Sequence, residues 1–240
     1  MIERMEDVVI LSGGRGTRLQ ERTKEIPKPL VEVGEWPILW HVVRIYAAQG
    51  FRRFYVATGY KGELIEEFVG GETWPEGVTV ECVDTGLDTP TGGRIHRLRD
   101  RIAGRPFCAT YGDGVADIDL ADLLGFHREH GATATMTVVR PTLQFGVTEL
   151  DGDGLVVGFQ EKPRSDHWIN GGFFCFEPGV FDYLRDDCVL EREPLEALAA
   201  GGQLRGYRHS GFWKCMDTYK DAVELNDLWA GERPPWRMWE

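Results

Sequence analysis

Val8 to Leu19 read VVILSGGRGTRL, and a Pro-Lys-Pro follows at positions 27 to 29. The apolar run is rich in β-branched residues, which predicts a buried strand that leads directly into a glycine-rich turn. A turn of this kind presents backbone N–H groups to a phosphate. The stretch therefore predicts an α/β domain that binds a nucleotide.

The spacing of this turn excludes two common phosphate-binding loops. A Walker loop needs Lys-Ser or Lys-Thr after its last glycine, where this chain has Thr17-Arg18. A dinucleotide fingerprint needs a third glycine at the position of Leu19. We predict a different loop, whose glycines let the main chain approach a triphosphate. Arg18 is then a planar bidentate donor and Lys28 a mobile point charge.

The composition sets the class of protein and of partner. The 240 residues are 42% hydrophobic and 28% charged, which predicts one large globular domain rather than two equal ones. Lys and Arg number 27 against 39 Asp and Glu, a net charge of −12, and no basic cluster indicates nucleic-acid binding. The five cysteines form no Cys-x-x-Cys pair and are interpreted as buried thiols. With no signal peptide or membrane span evident, we predict a cytoplasmic protein that does not bind membranes.

Hydrophobic periodicity predicts strands that alternate with helices in the first half of the chain, and mostly strands in the second. The predicted strands are 7–11, 53–58, 78–83, 107–110, 134–140, 147–150, 156–160 and 172–177, and the predicted helices are 38–49, 61–69 and 119–130. The segment around Thr91-Gly92-Gly93 is rich in turn formers and predicts irregular structure. The pattern favours an α/β fold with a Rossmann-like, mixed but mainly parallel sheet flanked by helices.

An aspartate stands between two glycines where one apolar strand ends, in Tyr111-Gly112-Asp113-Gly114. Ligands of open α/β sheets lie beyond the carboxyl ends of the strands. A carboxylate at that edge can hold a Mg2+ ion that bridges phosphate oxygens. The tetrapeptide alone is also typical of an ordinary Asp-Gly turn, but the phosphate loop upstream favours a metal ligand.

The glycine-rich turn and Lys28-Pro29 resemble the corresponding motifs of the sugar-phosphate nucleotidyltransferases. The resemblance continues through blocks at 34–41, 91–94, 111–115, 159–163, 169–174 and 211–218, nearly end to end. Within the family, Tyr-Gly-Asp-Gly-Val and Asn-Gly-Gly-Phe-Phe resemble the glucose-1-phosphate cytidylyltransferases most. The resemblance implies the GT-A-like form of the fold, as a single domain over 1–240 with a nucleotide-binding half up to about 118 and a sugar-phosphate-binding half after it.

The same resemblance implies roles for individual residues. The catalytic residues would be Arg18, Lys28 and Asp113. Those that bind the nucleotide would be Leu11, Gly13, Gly14, Arg15, Gly16, Thr17, Arg18, Lys28, Thr91, Gly92 and Gly112. Those that bind the sugar phosphate would be Tyr111, Glu161, Lys162, Asn170, Gly171 and Trp213, and the Mg2+ ligands would be Asp113 and Asp217.

The implied reaction is transfer of a cytidylyl group from CTP to glucose 1-phosphate with release of pyrophosphate, by a Mg2+-dependent homo-oligomer. It needs no general base, because a phosphate monoester is already anionic near neutral pH. The choice of CTP rests on resemblance alone. The chain is shorter than its family between Phe68 and Val83, which leaves the acceptor and the oligomeric state open.

Three alternatives stay open. The first is another nucleoside triphosphate, or another acceptor such as a different sugar phosphate or a phosphonate. The second is a glycosyltransferase that uses a nucleotide sugar, because Asp117 and Asp119 have the Asp-x-Asp spacing of such metal sites. The pair precedes a predicted helix, however, so capping explains it adequately. The third is a regulator that binds a nucleotide without turnover.

Overall fold

A central seven-stranded sheet organises the protein in the computed structural model, which describes residues 5–16, 25–102 and 104–239. Its strands are β1 (Asp7–Leu11), β4 (Arg53–Thr58), β5 (Thr79–Asp84), β6 (Phe107–Tyr111), β8 (Ala134–Val139), β11 (Ile169–Phe176) and β12 (Leu204–Arg208). Three two-stranded ladders pair β2 (Glu32–Val33) with β3 (Trp36–Pro37), β7 (Gly114–Ala116) with β13 (Trp213–Cys215), and β9 (Val147–Leu150) with β10 (Val156–Gln160).

Seven α-helices accompany the sheet in the described part of the chain: α1 (Ile38–Ala48), α2 (Gly62–Gly71), α3 (Thr91–His96), α4 (Arg99–Ile102), α5 (Leu120–His130), α6 (Glu193–Ala200) and α7 (Tyr219–Trp229). The strand order is β5-β4-β1-β6-β11-β8-β12, and only β11 runs antiparallel to its neighbours within this sheet. This arrangement confirms the predicted mixed, mainly parallel α/β fold. None of the described helices combines the length and the apolar character that crossing a bilayer requires.

Strand β1 lies in the middle of the sheet because Val8 to Leu11, which follow the ion-paired Asp7, are apolar on both faces. Val8 and Ile10 pack into one hydrophobic cluster, whereas Val9 and Leu11 pack into a second one on the other face. All five residues of the strand are buried, as expected for a strand covered by helices on both sides. The apolar run that opens the sequence therefore positions the glycine-rich turn at the centre of the carboxyl edge.

The turn lies beside the end of β6 for a simple topological reason. Strands β1 and β6 are parallel neighbours in which Leu11 is opposite Tyr111, and the Gly112 amide donates to the Leu11 carbonyl at 3.0 Å. The two chains therefore leave the sheet side by side. Gly13 and Asp113, which are 100 residues apart in sequence, emerge at one edge of the sheet.

The prediction of irregular structure around Thr91 was wrong, because α3 begins there. A Cβ on Gly92 would lie 2.5 Å from the Cys188 Sγ, and one on Gly93 would overlap the Asp186 carbonyl oxygen. The two glycines therefore permit close packing of the helix against residues 186–190. Tertiary packing overrides the low helix propensity of glycine here.

His41 on α1 lies in a buried aromatic cluster with Trp229, Trp236 and Trp239. The Trp236 indole N–H donates to His41 Nδ1 at 3.3 Å, so Nε2 carries the proton and donates to the Val33 carbonyl at 2.9 Å. Burial lowers the pKa of His41 from 6.5 to about 4, against the opposing effect of the backbone hydrogen bond. The imidazole is therefore neutral in the folded protein near neutral pH.

We expect the free energy of unfolding to fall by at most about 3 kcal/mol from His41 as the pH drops from 6.5 to 4. The unfolded chain takes up a proton near pH 6.5 and the folded chain only near pH 4, so acid favours the unfolded state in this window. Urea unfolding at pH 7, 5.5 and 4.5 gives the free energy of unfolding at each pH, and hence its slope against pH. A His41→Gln variant is expected to show a shallower slope, and an equal slope in both proteins would contradict the assignment.

Candidate active site

A cavity of about 430 Å3 opens at the carboxyl edge of β1 and β6. The sequence-predicted residues that line it are Leu11, Gly13, Gly14, Gly16, Lys28, Thr91, Tyr111, Gly112, Asp113 and Asp217. Most of the residues assigned to the nucleotide and the metal thus surround one space. Thr17 and Arg18 lie outside the described residues.

The centre of the site is an ammonium held by two carboxylates. Lys28 Nζ lies 2.5 Å from Asp113 Oδ2 and 2.6 Å from Asp217 Oδ1. The lysine side chain is only 13% exposed, the aspartates 25% and 36%. Burial on its own would lower the pKa of Lys28, but the charges and hydrogen bonds of Asp113 and Asp217 outweigh it and raise the pKa. Lys28 is therefore a fixed positive charge at neutral pH.

Local structure brings these three residues together. Lys28 begins a short 3-10 turn, Lys28–Leu30, which Pro27 precedes and which contains Pro29. Asp113 stands between β6 and β7, and Asp217 follows β13. The β7–β13 ladder places Cys215 opposite Gly114, and the Met216 amide donates to the Asp113 carbonyl at 2.9 Å. The ladder therefore fixes the two aspartates on either side of the ammonium.

The chemistry of this donor set fits a small divalent cation. Asp113, after β6, and Asp217, after β13, converge on one point, and a cation held there would share the two carboxylates with the Lys28 ammonium. Mg2+ is typically held by one or two protein carboxylates, and the remaining ligands are water and substrate phosphates. Within the described ranges, no cluster of three or more His, Cys, Asp or Glu side chains is arranged to hold a metal, so a fully protein-ligated ion is not indicated there.

The glycine-rich turn is shaped by its backbone contacts. The Gly13 carbonyl accepts from the Tyr60 amide at 3.1 Å, and Gly16 has a φ of +60°, a region that favours glycine. A Cβ on Gly14 would meet nothing within 4 Å, so the space above that residue is open. Arg15, a predicted nucleotide ligand, turns its half-exposed side chain to Asp88, 3.0 Å away.

A hydrogen-bonded chain connects Thr91 with Asn170. Thr91 Oγ1 donates to Glu191 Oε2 at 2.6 Å, and the Tyr111 hydroxyl donates to the other oxygen of the same carboxylate. The Asn170 amide nitrogen donates to the Tyr111 hydroxyl at 3.1 Å. Glu191 was missed by sequence reasoning, because it belongs to none of the quoted motifs and its partners lie 80 to 100 residues away.

A second cavity of about 690 Å3 adjoins the first. Lys162 and Trp213 line it, and the Trp213 indole donates to the Gly171 carbonyl at 2.7 Å. Lys162 Nζ lies 3.5 Å from Glu161 Oε1, and both side chains are more than half exposed. Asp217 is the described residue that lines both cavities. The two spaces therefore meet beside the Lys28 ammonium.

The Asp-x-Asp pair lies apart from the Lys28 ammonium. Asp119 is the N-cap of α5 and accepts from the Asp122 amide at 3.0 Å. Asp117 Oδ1 lies 3.0 Å from His209 Nε2. Asp119 therefore has the capping role that the sequence predicts, whereas Asp117 caps no described helix and contacts His209 instead.

Residues 7–210 match the family described as Nucleotidyl transferase. The chain belongs to this family. It is 42% identical over 252 aligned positions to a probable glucose-1-phosphate cytidylyltransferase of Bacillus subtilis strain 168, covering 96% of this chain and 99% of that protein. It is 40% identical to the glucose-1-phosphate cytidylyltransferase of Salmonella typhi, covering 97% and 99%. The resemblance found in the sequence is confirmed, and the protein is a nucleotidyltransferase.

Solved structures show the same fold at lower identity. A UDP-glucose pyrophosphorylase complexed with UDP-glucose is 16% identical with a TM-score of 0.75, covering 96% of this nucleotidyltransferase and all of that chain (100%). HddC from Yersinia pseudotuberculosis is 23% identical with a TM-score of 0.73, covering 94% and 100%. Both likenesses support the architecture only. The mainly parallel sheet is thus the arrangement of the nucleotidyltransferases.

Proposed function

We propose that this nucleotidyltransferase transfers a cytidylyl group from CTP to α-D-glucose 1-phosphate in a Mg2+-dependent reaction, forming CDP-glucose and pyrophosphate. The observation that carries the proposal is the meeting of two cavities at Asp217, beside Lys28 and Asp113. A triphosphate in the first cavity and a phosphate monoester in the second would meet where the positive charge is fixed. That geometry suits a direct transfer between two phosphate groups.

The bond changes follow from this arrangement. An oxygen of the sugar 1-phosphate forms a bond to the α-phosphorus, the bond from that phosphorus to the bridging oxygen breaks, and pyrophosphate leaves with the electron pair. When bound by Asp113 and Asp217, Mg2+ would neutralise charge on the phosphate oxygens. Lys28 stabilises the negative charge that develops on these oxygens. Arg18 is proposed to act in the same way from the glycine-rich turn.

The second cavity and the residues next to it supply groups for the acceptor; Lys162 and Trp213 line the cavity itself, and Glu161, Asn170 and Gly171 lie within two residues of lining residues in sequence. The Lys162 ammonium is a suitable partner for the sugar phosphate, and the Glu161 carboxylate accepts hydrogen bonds from hydroxyl groups. Asn170 both donates and accepts. Gly171 beside it is buried against β8, where a Cβ would lie 3.0 Å from Val139 Cγ1 and 3.1 Å from the Thr137 carbonyl oxygen, so this glycine permits close packing of the strands. These roles remain part of the proposal.

The names of the two relatives support cytosine as the base and glucose 1-phosphate as the acceptor. Their sequences align over nearly the whole chain, so both cavities are included in the likeness. Thr91 at the start of α3 lines the first cavity and is proposed to lie against the base, whereas Gly92, predicted with it, packs against Cys188 and contributes by holding α3 in place. Another nucleotide or another phosphate acceptor is the second candidate, because the segment between Phe68 and Val83 is short.

The proposal includes a cytoplasmic homo-oligomer. All five cysteines are free thiols, which suits a reducing compartment. The β9–β10 hairpin carries exposed apolar side chains, among them Phe145, Leu150, Leu155 and Phe159, each at least 60% exposed. Apolar side chains clustered in this way are typical of a surface that a second protein covers.

Pyrophosphate release tests the proposed function directly. CTP, UTP, dTTP, ATP and GTP are each combined with glucose 1-phosphate, other sugar phosphates and small phosphonates, with and without MgCl2. A signal confined to CTP with glucose 1-phosphate and Mg2+ is expected. A signal with another acceptor would revise the substrate, whereas silence in every combination would refute nucleotidyl transfer to these acceptors.

We expect Lys162→Ala to raise the KM for the sugar phosphate about tenfold or more while leaving the KM for the nucleotide within about twofold, because one charged hydrogen bond is lost. Initial rates at varied concentrations of each substrate give the two constants. Arg128→Ala, which removes an exposed cation on α5, is the control and is expected to match the wild type. An effect of Lys162→Ala confined to the nucleotide would contradict the assignment.

A further inference from the structure

Arg94 on α3 is a buried cation that no part of the proposed reaction has used. The residue is 4% exposed and lines the first cavity. Its guanidinium donates five hydrogen bonds: to the carbonyls of Thr58 (2.7 Å), Gly86 (2.9 Å), Gly13 (3.0 Å) and Leu87 (3.4 Å), and to Thr85 Oγ1 (2.7 Å). These acceptors follow or end three different strands, β1, β4 and β5. One side chain thus joins the carboxyl ends of three of the seven strands.

The Gly13 carbonyl is the acceptor that matters for a phosphate. It accepts from Arg94 Nη2 at 3.0 Å and from the Tyr60 amide at 3.1 Å. A carbonyl oxygen held by two donors inside the protein is turned away from any anion in the cavity. Arg94 therefore removes a partial negative charge from the surface that would face a triphosphate.

Two glycines make room for this guanidinium. A Cβ on Gly13 would overlap the Arg94 side chain, and one on Gly59 would lie 2.5 Å from Nη1. The first glycine of the phosphate turn is thus explained by Arg94 and not by a positive φ. The turn and the arginine form one unit, although 81 residues separate them in sequence.

The charge of Arg94 is not balanced by a direct partner. All five of its acceptors are neutral, and no ion pair between Arg94 and a carboxylate is found among the described residues. Asp84 and Asp88 act on it only from a distance. A buried charge without a carboxylate is costly unless its hydrogen bonds are complete or an anion approaches. The cavity beside it is where a triphosphate would approach.

We propose that Arg94 is a positioning residue that fixes the glycine-rich turn against the 85–87 loop and thereby prepares the cavity for a polyanionic nucleotide. The nucleotide part of this inference rests on the proposed function. The mechanical part, the coupling of the turn to the loop, does not. The two parts are therefore tested separately.

Hydrogen exchange of the free protein tests the coupling. In Arg94→Gln, amides in peptides that cover residues 10–16, 58–62 and 84–88 are expected to exchange faster than in the wild type, whereas α7 is unchanged. Arg94→Lys is expected to resemble it, since one ammonium cannot reach acceptors from three strands. Arg97→Gln is the matched control: Arg97 contacts Thr85, Thr89 and Asp186 but not Gly13, so of the three peptides only 84–88 should respond. Unchanged exchange around Gly13 and Tyr60 in Arg94→Gln would overturn the proposal.

Kinetics test the consequence for the nucleotide. Arg94→Gln is expected to raise the KM for the nucleotide about tenfold or more and to change the KM for the acceptor less than about twofold. Partial unfolding of the variant would instead lower the fraction of active enzyme, and the KM for the nucleotide would not change relative to the KM for the acceptor. A wild-type protein that turns over, with both constants unchanged in Arg94→Gln, would overturn the nucleotide part. A wild-type protein without turnover would refute the proposed function, and hydrogen exchange would still decide the coupling.

Discussion

Replacing Lys28 with methionine is expected to lower kcat about a hundred- to a thousandfold, the range seen when one preorganised donor to a developing charge is lost. The ammonium is the described cation that contacts both Asp113 and Asp217, at 2.5 Å and 2.6 Å, and it lies where the two cavities meet. Methionine keeps an unbranched, flexible side chain that is one heavy atom shorter, and it removes both the charge and the hydrogen-bond donors of the ammonium. Pyrophosphate release at saturating substrates measures kcat, and a value within about tenfold of the wild type would exclude Lys28 from charge stabilisation.

A second measurement shows whether Lys28→Met loses activity because the charge is gone or because the variant misfolds. In the free wild-type protein the Lys28 ammonium occupies the space between the carboxylates, so we expect weak binding of Mn2+ in the absence of nucleotide. In Lys28→Met the two carboxylates face each other without a cation, and like charges in a partly buried site attract a divalent ion. Titration of free Mn2+ followed by electron paramagnetic resonance is expected to show tighter binding by the variant. Equal binding by both proteins would contradict this account of the site.

The parts of the fold that the sequence predicted well are those determined by residues close together in the chain. The apolar run of β1 and the glycines after it lie in one short stretch, and the position of Asp113 follows from the end of the next parallel strand. Ligands of open α/β sheets bind beyond the carboxyl ends of the strands, so the predicted strand ends were enough to place Gly13 and Asp113 at the same edge. Strand boundaries were mostly within two residues, with β11 beginning at Ile169 instead of Gly172.

The parts that sequence missed depend on contacts between distant segments. Helix α3 forms because residues 186–190 pack on Gly92 and Gly93, and composition alone does not show that packing. Glu191 belongs to no block of the resemblance, and its partner Tyr111 lies 80 residues away. Arg94 ends the 91–94 block, but its contact with Gly13, 81 residues away, could not be predicted from that motif. Asp217 was reached only by resemblance, because its place beside Asp113 is set by the pairing of β7 with β13.

Asp113→Asn is expected to lower kcat about a hundredfold or more and to raise the Mg2+ concentration for half-maximal rate about tenfold, since a neutral amide is a much weaker ligand for this ion. Asparagine has nearly the same shape as aspartate, so the Gly112 and Met216 backbone contacts around it should persist. Asp217→Asn is expected to act in the same direction. Initial rates across a Mg2+ titration measure both quantities, and an unaltered Mg2+ dependence in both variants would refute the two-carboxylate site.

The control for this prediction also separates two reaction classes. Asp119 caps α5, and asparagine is an equally good N-cap, so Asp119→Asn should fold normally. Nucleotidyl transfer at the Lys28 site predicts that Asp119→Asn releases pyrophosphate at nearly the wild-type rate. A glycosyltransferase that held its metal on Asp117 and Asp119 would instead lose activity in this variant, and Asp113→Asn would be the mild change. Because the same pair of variants gives opposite orders of activity, the two chemistries are distinguished by assaying both variants for pyrophosphate release from a nucleoside triphosphate and for nucleotide release from a nucleotide sugar.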